Sequence, residues 1–177
     1  MKKYFWPALF FLLCVFLSGC AKQPPAAKSP PSGEESEQAA VTRLVEDFGG
    51  RLQAVSLQAP KEAVQKSTQE NYGDLVTPAL LARWLDNPAD APGRAVSSPW
   101  PDRIEILSVT KAAEDEYTVK GEIIEITSVE KVNGGAAAKR PVTLTVKKTG
   151  ERWLIDKVAA GLEEETGPAG GGTAGEG

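Results

Sequence analysis

The spacing of apolar residues changes period once along the chain, and the change separates a helical half from a stranded half. Between Val41 and Leu57, apolar side chains fall at Val41, Leu44, Val45, Phe48, Leu52 and Val55. Steps of three and four place them on one face of a helix, with Gly49-Gly50 weakening its middle. Pro60 closes this element. A second helix is expected from Lys61, with Ala63, Val64 and Ser67 turned inward, running to Tyr72 before Gly73 interrupts it. Thr77 and Pro78 suit the N-cap and first position of a third helix, which carries Leu80, Leu81, Trp84 and Leu85. Asn87 to Pro101 then holds Pro88, Pro92, Pro99 and Pro101 and reads as a loop. From Arg103 the period becomes two. Arg103–Thr110, Tyr117–Thr127, Val142–Lys147 and Arg152–Val158 are predicted strands, with Gly121 a candidate bulge in the second. Glu114-Asp115 and Thr149-Gly150 are short turns, and Asn133-Gly134-Gly135 is a hairpin-type turn inside a longer loop reaching Lys139. Short turns make neighbouring strands antiparallel. The predicted fold class is therefore α+β: N-terminal helices packed on one face of a curved, antiparallel, four-stranded sheet.

Ahead of this domain lies a different kind of sequence. Lys2-Lys3 precedes an apolar run from Tyr4 to Phe16, which is the charged and apolar order of a secretion signal. A membrane-spanning helix needs roughly 20 apolar residues, more than this run supplies. Leu17-Ser18-Gly19-Cys20 follows, and it resembles the lipobox of bacterial lipoproteins. The resemblance implies cleavage between Gly19 and Cys20 and diacylation of the Cys20 sulfur. The chain would then be attached to the outer face of a cell membrane through that lipid. Two or three acyl chains, at about 0.8 kcal/mol per buried methylene, make such an attachment stable where one is marginal. Residues 1–19 are thus the expected signal, and 20–40 a lipidated cysteine with a proline-rich tether in which Glu34, Glu35 and Glu37 are solvated. Residues 41–158 are the folded domain, and 159–177 a Gly- and Glu-rich tail without apolar periodicity.

Composition removes several classes of chemistry. There is no histidine, which excludes Ser-His-Asp and Cys-His nucleophiles and the commonest zinc ligand. Of the two cysteines, Cys14 leaves with the signal and Cys20 is the lipid acceptor, so no disulfide is expected in the domain. The formal charge is −4 and becomes more negative once Lys2 and Lys3 are removed. Such a balance offers no electrostatic footprint for nucleic acid. Glu114-Asp115-Glu116 and Glu163-Glu164-Glu165 lack the ligand spacing and glycine of a calcium loop. They read as solvated turn and tail charges, and neither a metal site nor a cofactor is expected.

The order of elements resembles the nuclear transport factor 2-like (NTF2-like, or cystatin-like) superfamily. The points of likeness are the helix Val41–Leu57, the Tyr72-Gly73-Asp74-Leu75-Val76-Thr77-Pro78 passage into a short helix, and the last hairpin with Gly150-Glu151-Arg152-Trp153-Leu154-Ile155. The short strand often found between the helices of that family has no counterpart in the pattern. The resemblance implies a cone with an apolar cavity, whose mouth Trp84, Trp100, Tyr72 and Trp153 are placed to line. Each of these aromatics has an alternative as core, and Trp100, held between two prolines, as a lid over the open end of the core. The expected function is a non-catalytic binding or interaction module with a cell-envelope protein partner, and pairing through the sheets into a homodimer is compatible with the family. A ketosteroid-isomerase-like enzyme is the other implication, with Asp74, Asp102, Tyr72 and Tyr117 as available groups. That reading requires a carboxylate buried in an apolar pocket with a raised pKa. A small apolar ligand held in the cone is the remaining alternative.

Overall fold

The computed structural model of the chain describes residues 33–161. The signal, Gly19, Cys20, the first part of the expected tether and the tail beyond Gly161 lie outside the described residues. Val41, Val45, Phe48 and Leu52 are all buried, which makes their three-and-four spacing the inward stripe of the first helix. This helix, α1, spans Gly33–Arg51 and is followed by a single 3-10 turn, Leu52–Ala54. Helix α2 covers Lys61–Tyr72 and α3 covers Pro78–Asp86. Thr77 caps α3, its hydroxyl oxygen accepting from the Leu80 amide at 3.3 Å.

Four strands follow: β1, Trp100–Ala113; β2, Glu116–Ile126; β3, Ala138–Thr149; and β4, Arg152–Ala160. They pair antiparallel in the order β1-β2-β3-β4. Val109, Val119, Leu144 and Val158 stand opposite one another across all four strands. This row belongs to the face that packs with the helices into the core. The opposite face carries an ion-pair chain in which Arg103 and Lys139 share Glu105 and Lys139 also reaches Glu122, beside buried Ile124 and Ile126 on the same face of β2. The class is α+β, helices first and a curved meander after.

Several boundaries differ from those read in the sequence. Helix α1 begins at Gly33, so residues 33–40, assigned above to the tether, are helical. Glu34 and Glu35 in its first turn favour a helix start by opposing the dipole. Strand β1 begins at Trp100, which pairs with Ile126 and is not a loop residue. The loop after β2 contains a further helix, α4, Ser128–Asn133. Its signal was a capping box: Thr127 Oγ1 accepts from the Val129 amide at 3.1 Å, and the Thr127 amide donates to Glu130 at 2.9 Å. Gly134, at φ 78°, ends that helix and does not turn a hairpin. Strand β4 continues to Ala160, two residues into the expected tail. The extra residues lie in β1, where the register slips between Pro101 and Arg103, Ile106 and Ser108, and Lys111 and Ala113, while β2 keeps register with β3 through Gly121. Gly121 permits the close approach there, since a Cβ on it would stand 2.6 Å from the Glu105 carbonyl oxygen. The missing short strand exists as one residue. Val76 bridges Ile155 in parallel, with the Ile155 amide donating to Leu75 O and the Thr77 amide to Ile155 O, both at 2.9 Å.

Helix α1 crosses β1 at close range. A Cβ on Gly49 would lie 2.7 Å from the Ile104 backbone nitrogen, whereas one on Gly50 would meet nothing within 4 Å. The adjacent glycines therefore respond oppositely to the same substitution. Gly50→Ala is expected to stabilise the protein by up to about 1 kcal/mol through helix propensity. Gly49→Ala is expected to cost about 1–3 kcal/mol, because the backbone contact outweighs that gain. Urea unfolding of the two variants checks this, and equal effects would refute the close crossing.

Candidate binding site

The inner face of the sheet changes character towards the ends of the strands where β1 begins and β2 finishes. Pro101 on β1, Ile123 and Glu125 on β2, Arg140 on β3, and Val158 and Ala160 on β4 form one wall of a pocket of about 550 Å³. The facing wall is the loop from Ala89 to Pro99, with Leu57 beside it. Three contacts hold that loop. The Tyr72 hydroxyl donates to Pro92 O at 2.7 Å. The Arg94 amide donates to Val55 O at 2.8 Å, and Leu57 N returns a bond to Arg94 O at 3.0 Å. Gly93 fits this junction because a Cβ would stand 2.5 Å from Val55 O.

The pocket wall is mostly apolar, with one ion pair set into it. Arg140 Nε donates to Glu125 Oε1 at 2.8 Å. Their side chains are 31% and 15% exposed, so both are partly withdrawn from water. The Nη1 and Nη2 groups of Arg140 have no acceptor among the described residues. Asp90 lies at the loop side of the same pocket. Sequence reasoning passed over Glu125 and Arg140. Their signal was phase: Glu125 is two residues beyond inward-facing Ile123, and Arg140 two before inward-facing Val142. Charges at inward positions of alternating strands are the anomaly that marks a site.

The four aromatics expected at one mouth are dispersed. Tyr72 and Trp84 are buried and pack with Phe48, at ring-centroid distances of 4.9 Å for Phe48–Tyr72 and 5.6 Å for Tyr72–Trp84. They are core. Trp100 is half-buried at the pocket end, but its neighbours Pro99 and Pro101 line the pocket instead. Trp153 stands at the other end of the sheet, edge-on to Tyr117 at 5.1 Å. The acids proposed for an isomerase-type site are also apart from any apolar pocket. Asp74 pairs with Arg51 at 2.8 Å with its side chain 57% exposed, and Asp102 pairs with Arg103 at 3.0 Å. Burial pushes the Tyr72 hydroxyl above its usual range, and its proton is engaged by Pro92. The Tyr117 hydroxyl is buried without a partner among the described residues. No three acidic, histidine or cysteine side chains gather as a metal set among the described residues.

A second charged cluster sits at the far end of the sheet from the pocket. Lys148 on β3 and Lys111 on β1 reach Glu37 of α1 at 2.6 and 3.6 Å. Lys148 also lies 5.4 Å from the Trp153 ring centroid, and Lys111 5.9 Å from that of Tyr117. Among residues 33–40, Glu37 alone is not exposed. Its carboxylate joins the first two turns of α1 to the sheet.

No family model matches the chain, and no curated protein matches it in sequence. A solved structure described as an Ntf2 like protein involved in plasmid conjugation is similar to it. The TM-score is 0.42 and the identity 16%, over 76% of this chain and 43% of that one. The chain thus spans less than half of that protein's length, and conjugation is said of that protein alone. Among the described residues no helix is long and apolar enough to cross a membrane.

The hydrogen bond from Lys148, aided by the charges of Lys148 and Lys111, holds the Glu37 carboxyl below its ordinary value of 4.5. A lowered folded-state pKa stabilises above the unfolded value, and that contribution fades as pH falls through the folded one. Acidification below pH 4.5 is therefore expected to move the NMR signals of residues 34–40 towards coil positions before core amides respond. Glu37→Gln should produce the same shifts at neutral pH. Helical shifts retained in both cases would show that these turns do not depend on the carboxylate.

Proposed function

We propose that the chain is a lipid-anchored, extracytoplasmic binding module of the NTF2-like kind, which performs no reaction itself and holds its ligand in the pocket at the open end of the sheet. The observation that carries this reading is the pocket, whose wall combines apolar residues with the partly buried Glu125–Arg140 ion pair and Asp90. Ligand sites commonly combine these features: apolar surface for affinity and a few polar groups for orientation. The helices-then-meander order supports the family assignment. The Leu17-Ser18-Gly19-Cys20 run supports the anchor, and with it a location at the cell membrane facing away from the cytoplasm. Asp74 and Asp102, exposed or partly exposed in ion pairs, give an isomerase-type mechanism no general base in a dry pocket.

Two measurements test the two parts. A screen of small organic probes against isotopically labelled protein should perturb amides around Leu57, Val96, Ile123 and Val158. Val96 is 48% exposed, so Val96→Trp fills the pocket mouth without entering the core and should abolish those perturbations. Absence of any pocket-localised response in the unaltered protein would sink the binding reading. For the anchor, Cys20→Ser is expected to move the protein from the membrane fraction into the soluble one and to remove a lipid mass from its N-terminal peptide. Unchanged membrane retention would refute attachment through Cys20.

A further inference from the structure

We propose that the pocket takes a monocarboxylate, its single carboxylate held by the Arg140 guanidinium and its compact apolar part packed against Leu57, Val96 and Val158. This deepens the binding reading above and rests on it. Arg140 has donors to spare. A guanidinium carries five N–H groups in a fixed fork. Arg140 uses Nε on Glu125, at 2.8 Å. Both Nη groups have no acceptor among the described residues, although the side chain is only 31% exposed. Neither Nη atom is buried without a partner, so both are open to the pocket and its water, and the pair of Nη groups matches the two oxygens of a carboxylate.

Charge then narrows the class. Glu125 and Asp90 share the pocket with Arg140, two carboxylates to one guanidinium. A ligand with one negative charge gains the fork. One with a second charge, such as a dicarboxylate or a phosphate ester, meets short-range repulsion from these acids. A purely apolar ligand fares worse in another way, because it would cover the Nη donors with hydrocarbon and leave them without water. The walls offered by Leu57, Val96, Ile123 and Val158 accept alkyl groups and supply no side-chain donors. One planar anion joined to a small hydrocarbon body satisfies all of these conditions. Short carboxylic acids and the free C-terminus of a peptide both present that chemistry.

The test is an NMR titration of the full chain with hexanoate, hexanamide, adipate, and an Ala-Ala-Val peptide with a free or an amidated C-terminus. Hexanoate or the free-ended peptide should shift pocket amides, with hexanamide, adipate and the amidated peptide at least about tenfold weaker. Whichever of the two carboxylates binds more tightly identifies the source. Arg140→Gln should lose about tenfold in carboxylate affinity and leave hexanamide unaffected. Glu125→Gln removes the internal competitor for Arg140 and should instead tighten carboxylate binding severalfold. Opposite responses to neutral substitutions at the two ends of one ion pair do not arise from loss of the fold. Equal binding of hexanoate and hexanamide, or an unchanged ratio between them in Arg140→Gln, would overturn carboxylate recognition while the pocket remained a binding site. Silence from every probe would overturn both readings.

Discussion

The hydrogen bond from Tyr72 to the Pro92 carbonyl joins the helical layer to the loop that faces the sheet, and much of the architecture turns on it. Tyr72 is anchored from behind by Phe48 and Trp84, one from α1 and one from α3. Its ring therefore gathers three helices, and its hydroxyl passes that order to a proline-rich segment with little regular structure of its own. The bond is part-buried, and its loss would cost the junction on the order of 0.5–1.5 kcal/mol. Together with the Val55–Arg94 pairing, the bond gives the pocket a fixed wall built from loop backbone. The aromatic cluster stands behind the site and supports it without touching a ligand.

Much of the fold was legible because it rests on local patterns. The α2 boundaries, the Thr77-Pro78 start of α3 and the alternation of all four strands follow from caps and periods that any short window displays. The misses have one cause in common. Residues 33–40, Trp100 and Val76 take their conformations from partners distant in sequence: Glu37 from Lys148, Trp100 from Ile126, and Val76 from Ile155. Helix α4 is the exception. Its Thr127 to Glu130 capping box was local and readable, but its exposed Val129 and Val132 gave no inward stripe to draw attention.

The site was legible in a different measure. Conspicuous residues, the tryptophans and the Tyr72-Gly73-Asp74 passage, proved to be core, edge or surface positions. The informative residues were a glutamate and an arginine at inward phases of β2 and β3, where alternation calls for apolar side chains. Their proximity depends on the register Ile123 to Arg140, which no single strand reveals. The charge at each position was visible in the sequence, while the pairing that gives it meaning required the sheet.

The placement of Glu37 has a mechanical consequence. The chain comes into the domain where Lys111 and Lys148 close the sheet, and the pocket opens at the other limit of the same strands. From Tyr117 to Glu125 along β2 the separation is about 26 Å, at roughly 3.3 Å per residue. That separation is spanned by paired strands, which do not stretch, so the first turns of α1 and the pocket are held a fixed distance apart within the domain.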